Sequence, residues 1–119
     1  MVLYSTVKIR CHGNVIELIS GGLLFGFDEM LLKACGKFDT IRYVNWDRPR
    51  PIKGSIAVHV IDKYYVVTAW YDREPRIFAI STSLNEALIH AEREMLKEFA
   101  DDEHESIRRA FKEIYESMR

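Results

Sequence analysis

The chain is poor in the residues that staple small folds or carry metal chemistry: two cysteines, Cys11 and Cys35, and four histidines in 119 residues. Neither cysteine has a Cys or His neighbour at a zinc-ligand spacing, so no metal is expected and both are read as reduced thiols. No apolar run outlasts Leu23 to Phe27, far below the roughly 20 residues a membrane helix needs. The amino terminus also lacks a signal peptide's basic-then-apolar order. Together these absences lead to the expectation of a cytoplasmic, intracellular protein without membrane contact, in the host cytoplasm if its source is viral. Repeats and low-complexity tracts are missing too. With 48% hydrophobic and 29% charged residues, a chain of this length can bury its own core as one domain over residues 1–119.

Neither sign of charge dominates, since the formal net charge is −1. The near-balance hides an asymmetry: residues 1–54 hold eight Lys/Arg against five Asp/Glu, or +3, and residues 55–119 hold nine against thirteen, or −4. Proline is scarce, yet Pro49 and Pro51, two of the three, fall in "NWDRPRPIKG" at residues 45–54, beside Trp46, Arg48, Arg50 and Lys53. Two prolines so close forbid both a regular ladder and a helix, which makes this stretch a corner. Its composition suits stacking and phosphate contact with single-stranded nucleic acid, or the Trp/Tyr/Arg anchors of a protein interface. It equally suits a stiff corner with a packed tryptophan and solvated arginines.

Apolar alternation places the strands. Val2 to Arg10 and Asn14 to Ser20 read as a hairpin, its strands separated by "CHG", which puts Cys11 in the turn and leaves Gly13-Asn14 to supply positive φ; a short helix follows that Asp28 caps and Gly36 ends, with Leu31, Leu32 and Cys35 on its buried side. Thr40 to Trp46 is a further strand. "SIAVHVID", "YYVVTAWYD" and "RIFAIS" then form an antiparallel meander, joined by a two-residue turn at Asp62-Lys63 and a four-residue turn at "DREP". On these loop lengths one face collects Ile56, Val58, Val60, Tyr65, Val67, Ala69, Phe78 and Ile80. The other collects Ala57, His59, Ile61, Tyr64, Val66, Thr68, Trp70, Ile77 and Ala79, too apolar to stand bare in water. Ser83 and Glu86 form a capping box for an amphipathic helix with Leu84, Leu88, Ala91, Met95 and Phe99 on one side. After "ADDEHE", Asp102 is expected to cap a second helix carrying Ile107, Ala110, Phe111, Ile114 and Met118. The expected class is α+β: an antiparallel sheet with two carboxyl-terminal helices packed on one face, and the amino-terminal hairpin and helix extending the sheet or covering its second face. A partner subunit is the other candidate cover, so a homodimer is expected.

No catalytic constellation emerges. His59 lies mid-strand, three residues before Asp62, which points to the opposite face. The metal site of rolling-circle initiator endonucleases needs a His-hydrophobic-His strand, whereas this chain has Ala57-Val58-His59; Tyr115, placed like their nucleophile, reads as packing. "HAERE" and "DDEHE", around His90 and His104, lack the two-His-plus-Glu helical zinc pattern and read as solvated faces. "SGGLLFG" is not followed by the Lys-Ser/Thr of a phosphate loop. Cys11 beside His12 has no third orienting group. No catalytic residue and no cofactor is therefore assigned.

Residues 55–98, with "SIAVHVID", "YYVVTAWYD" and "TSLNEALIHAERE", resemble the HicB-like antitoxin family; Thr82, Glu86 and Ala87 match its Thr-x-x-x-Glu-Ala helix entry. The family's Pro-Gly-Cys-like element and its Gly-Asp before that threonine are replaced by "RIFAIS". The resemblance implies a non-catalytic domain that oligomerises and occludes a protein partner, such as an RNA-cleaving toxin. The resulting expectation is a small binding or regulatory protein acting by protein recognition at the corner formed by Tyr43, Trp46, Arg48, Arg50 and Lys53, with His59 and Trp70 as a second surface. The alternatives are a nucleic-acid-binding regulator using the same corner, and a small nuclease or hydrolase centred on His59.

Overall fold

In the computed structural model, residues 3–24, 33–35 and 38–118 are described. Their strands are β1 (Thr6–Cys11), β2 (Asn14–Ile19), β3 (Phe38–Trp46), β4 (Gly54–Ile61), β5 (Tyr64–Tyr71) and β6 (Glu74–Ser81). Two helices follow, α1 (Leu84–Glu98) and α2 (His104–Ser117), separated by a 3-10 turn at Asp101–Glu103. The class is α+β. The short helix expected between Asp28 and Gly36 falls largely outside the described residues.

β1 and β2 form a two-stranded antiparallel hairpin, and β3-β4-β5-β6 form a four-stranded meander. The hairpin turns at His12-Gly13, both at positive φ, one residue earlier than the Gly13-Asn14 expected; Asn14 already pairs with Cys11. The "DREP" loop is also shorter than expected. Tyr71 pairs with Glu74, which leaves only Asp72 and Arg73 in the turn, both at positive φ. That is the twist a two-residue hairpin turn needs, and glycine or asparagine usually supplies it.

Two cores sandwich the meander. Val44, Trp46, Ile56, Val58, Val67, Ala69 and Phe78 pack with Ala87, Leu88, Ala91 and Met95 of α1 and Ile107, Phe111 and Ile114 of α2. Val7, Ile9, Ile16 and Leu18 of the hairpin pack with Ile61, Val66, Ile77 and Ile80. The hairpin therefore covers part of the second sheet face and does not extend the sheet. A bulge between Val67 and Thr68 on the β5–β6 ladder corrects the expected faces of β6. Past Phe78 the alternation flips, so Ala79 turns into the helix core and Ile80 into the hairpin core. The chain flanking the hairpin takes up the free edge of β6: the Tyr4 amide donates to the Ile80 carbonyl at 2.9 Å, and Gly21 and Leu24 donate to Ile77 and Pro75. No described residue pairs with the outer edge of β3.

Cys11 and Cys35 form a disulfide, their Cα atoms 5.9 Å apart. This separation is normal for a disulfide and corrects the reading of reduced thiols. Cys11 ends a strand instead of lying in a turn, and the fold brings Cys35 back to it across 24 residues. Spacing could not show that. The pairing removes the ground on which a reducing cytoplasm was expected. No helix among the described residues is long and apolar enough to cross a membrane.

The Ser83 side chain accepts from the Glu86 amide at 3.4 Å, as expected of the cap, but the Ser83 amide donates to the Ser81 hydroxyl at 3.0 Å. Asp102 does not cap α2. The residue before α2 is Glu103, whose side chain makes no cap bond because it is engaged elsewhere.

Candidate functional site

The corner after β3 is built from the inside. Pro49 and Pro51 end the ladder at the Trp46–Gly54 pair, and the Trp46 ring lies against Gly54 where any Cβ would stand. Trp46 is 1% exposed and meets the Phe99 ring edge-on at 4.6 Å; Phe99 in turn meets Tyr71 at 4.8 Å. The Arg48 guanidinium sits 4.8 Å from the centre of the Trp46 ring. Its Nε donates to Oε1 of Glu103 at 2.6 Å and its Nη2 to Oε2 at 3.4 Å, while Nη1 lies 3.6 Å from Asp72. Both side chains of the Arg48–Glu103 pair are buried. Burial opposes the charge on Arg48, but the hydrogen bond and charge of Glu103, aided by Asp72, outweigh it and raise its pKa. Arg50 lies 3.5 Å from Asp102 and 3.8 Å from Glu103.

The corner is thus a seam between β3 and the start of α2. Trp46 and Arg48, expected on a binding surface, face the interior, the Arg48 guanidinium held by Glu103 while Trp46 Nε1 and Arg48 Nη1 lack a hydrogen-bond partner, and Arg50 is partly neutralised. Lys53 is exposed. The acidic stretch at residues 101–103, which sequence reasoning left as a solvated break, supplies the carboxylates that the basic corner needs.

The open surface lies on the opposite face of the sheet. Ala57, His59, Thr68 and Trp70 alternate along β4 and β5 with the residues that pack on the helices, so they point the other way. The hairpin covers this face only as far as Ile61, Val66 and Ile77. Beyond it a cleft of about 480 Å³ remains, lined by these four residues with Thr40, Tyr43, Ser55, Arg73 and Pro75. Its floor is inert. His59 is 5% exposed, stacks on Phe38 at 4.9 Å, and holds both ring nitrogens against hydroxyls: Nδ1 2.9 Å from Thr40 Oγ1 and Nε2 3.0 Å from Thr68 Oγ1. A hydroxyl can donate or accept, so either tautomer is satisfied. Burial lowers the His59 pKa to about 4, which leaves the ring neutral near pH 7. Among the described residues, no carboxylate orients His59 as a general base. The ring fastens β3, β4 and β5 together.

The walls differ from the floor. Tyr43 is 60% exposed and Trp70 43% exposed, a large aromatic surface to leave in water. Tyr43 pairs with Ala57 and Trp70 with Ser55, so the two rings flank the small side chains of β4. Arg73 stands at the rim with φ of 72°, a left-handed conformation that costs a residue with a Cβ about 1 kcal/mol more than glycine. Among the described residues, no carboxylate lines the cleft. Among the described residues, no three His, Cys, Asp or Glu side chains come together as a metal site would require.

A larger groove of about 670 Å³ lies between α1 and α2. Leu84, Leu88, Tyr115 and Met118 form its apolar part, but its rim mixes Arg108 and Lys112 with Glu92 and Glu116, and Lys112 and Glu116 lie 4.0 Å apart. With cations and carboxylates balanced, it selects no ligand charge.

Of the residues singled out in the sequence, the cleft unites Tyr43, His59 and Trp70, which had been divided between two surfaces, and leaves Trp46 and Arg48 inside. Thr40, Ser55, Thr68 and Arg73 were not among the expected site residues. The signal for Arg73 was present: "DREP" between two strands demands a residue at positive φ where no glycine or asparagine stands. Comparison with family models, with curated proteins and with solved structures finds no match for this chain.

Proposed function

We propose that the protein is a small non-catalytic recognition module that binds another protein through the cleft between Tyr43 and Trp70. Its two carboxyl-terminal helices share one sheet face, leaving the other for the hairpin and the cleft. The observation that carries this reading is the pair of exposed aromatic rings on a concave surface whose floor is internally satisfied. Tyr, Trp and Arg are the residues that anchor protein interfaces, because each buries a large area at small conformational cost. The polar floor supports them in another way: with its hydrogen bonds already made among His59, Thr40 and Thr68, it loses little on desolvation. The resemblance of residues 55–98 to HicB-like antitoxin domains, which act by binding, agrees in kind.

Nucleic acid is the less favoured ligand. A strand-tracking groove needs unneutralised cations, and Arg48 and Arg50 of the basic corner are held by Glu103 and Asp102. The test compares wild type with the double variant Tyr43→Ala/Trp70→Ala in crosslinking capture from extract of the source cell. Proteins retained by wild type and lost by the variant support the reading, and equal retention overturns it. Anisotropy titration with labelled oligonucleotides at two salt concentrations covers the alternative: steeply salt-dependent binding transfers the function to nucleic acid.

A further inference from the structure

We propose that the Cys11–Cys35 disulfide is a redox-operated fastening: a dithiol reductant that opens it frees the turn end of the β1–β2 hairpin and uncovers the apolar sheet face beside the cleft. This device goes beyond recognition at the cleft and does not depend on what the cleft binds.

The hairpin is a strap laid across the sheet. β6 and β3 are the two edges of the meander, and the strand spacings between them add to about 14 Å. At its open end the hairpin is tied to the β6 edge by main-chain bonds. Tyr4 donates to Ile80 at 2.9 Å, Gly21 to Ile77 at 2.7 Å and Leu24 to Pro75 at 3.0 Å, while the Ile77 amide donates to Gly22 at 2.8 Å. A strand of the length of β1 extends about 20 Å, enough to carry the turn end to the far edge. There Cys11, the last residue of β1, is bonded to Cys35, shortly before Phe38 opens β3. Between these anchors the hairpin meets every strand of the meander: its core takes in Ile61 of β4, Val66 of β5, and Ile77 and Ile80 of β6, and Phe38 of β3 packs against it.

The two anchors differ in kind. Hydrogen bonds to β6 continue the sheet and hold in either redox state. The turn end rests on packing of the cross-strand pair Ile9 and Ile16 and on the disulfide, which joins residues 24 apart in the chain. Opening that bond returns to the loop the chain freedom its closure removes. A two-stranded hairpin is marginal away from a supporting surface, so the strap yields at this end first. Its release bares Ile61 and Val66 and loosens Phe38, whose ring stacks on His59 at 4.9 Å; because His59 belongs to the cleft floor, the cleft lengthens along the sheet. The helix core on the opposite face is a separate cluster and keeps the meander folded.

The bond is open to attack from one side, since Cys35 is partly exposed whereas Cys11 is 7% exposed. A thiolate of the reductant attacks Cys35 Sγ, the sulfur–sulfur bond breaks, and Cys11 leaves as a thiolate that takes up a proton. The reductant's second thiol then gives up its proton and closes on the first, releasing Cys35 as a thiol. Two electrons and two protons reach the protein, and the reductant ends as a disulfide.

The experiment compares amide hydrogen exchange, read by mass spectrometry, in the oxidised protein and after dithiothreitol, with alkylation counting the free thiols. The expected result is exchange at least tenfold faster across residues 7–16 on reduction, reversed on reoxidation, with β4, β5 and both helices changed less than twofold. Binding of anilinonaphthalene sulfonate should rise several-fold as Ile61 and Val66 are bared, and Cys11→Ser/Cys35→Ser should show both changes without reductant. Hairpin exchange that does not respond to reduction overturns the proposal. So does exchange that rises equally in every element, or global unfolding, because the disulfide then stabilises the whole fold and releases no strap. Two free thiols in protein purified without reductant overturn it as well, as does faster hairpin exchange without added dye binding.

Discussion

The corner after β3 and the cleft beside it are made of the same residue types and have opposite fates. In the corner, Trp46 and Arg48 meet Phe99 and Glu103, which arrive from the end of α1 and the start of α2; the aromatic ring is covered and the cation is neutralised. In the cleft, Tyr43, Trp70 and Arg73 meet no comparable cover or counter-charge among the described residues, because the hairpin stops short of them. A tryptophan beside an arginine is therefore not a binding site by composition. What matters is whether the fold delivers a cover and a counter-charge.

The comparison breaks most sharply at Glu103. Glu103→Ala leaves the buried Arg48 without its partner, with an expected loss of about 3–5 kcal/mol in urea unfolding. Replacing both residues with apolar ones of similar volume should recover much of that loss. If Glu103→Ala costs under about 1 kcal/mol, the corner is no more than a solvated surface pair.

The cleft floor gives the next largest effect, through pH. The His59 pKa of about 4 lies below its unfolded value of 6.5, so the unfolded chain binds the proton more tightly. Stability from this group is complete above pH 6.5 and is lost as pH falls from 6.5 toward 4, by about 3 kcal/mol in total. His59→Gln should flatten that part of the pH profile in chemical denaturation, while the rest of the acid limb remains.

Gly54→Ala sharpens the corner at its other end. The added methyl must displace the Trp46 ring, with an expected loss of about 1–3 kcal/mol and a changed near-UV dichroism. The smallest effect belongs to the cleft walls. Tyr43→Ala should change unfolding free energy by no more than about 0.5 kcal/mol, because its ring is largely solvated, and Trp70→Ala, with more than half of its surface covered, by about 1–2 kcal/mol. A larger loss at either would make the cleft wall a piece of core, as Trp46 is.

Much of the fold was legible in local pattern. Alternation located the hairpin and the meander, and 3.6-residue spacing located both helices with their buried sides. The misreadings share a physical origin. The turn at Asp72-Arg73 is short because two non-glycine residues accept positive φ, against their local preference. The bulge past Thr68 inserts one residue into an otherwise regular strand, and so exchanges Ala79 and Ile80 between faces without changing the apparent pattern. Asp102 reads as a cap, but the chain enters α2 through a 3-10 turn that turns Glu103 toward Arg48.

The candidate site divides along the same line. Tyr43, His59 and Trp70 could be named from the sequence because aromatic and ionisable residues stand out there; their meeting in one cleft required the register that aligns β3, β4 and β5. By itself the sequence determined the element types and which side of each element is apolar, since side-chain period and local propensity act over a few residues. Tertiary structure alone decided which aromatic is covered, which arginine finds a carboxylate 55 residues away, and that Cys11 and Cys35 meet. Those outcomes depend on contacts between segments distant in the chain, whose free energies no local pattern carries.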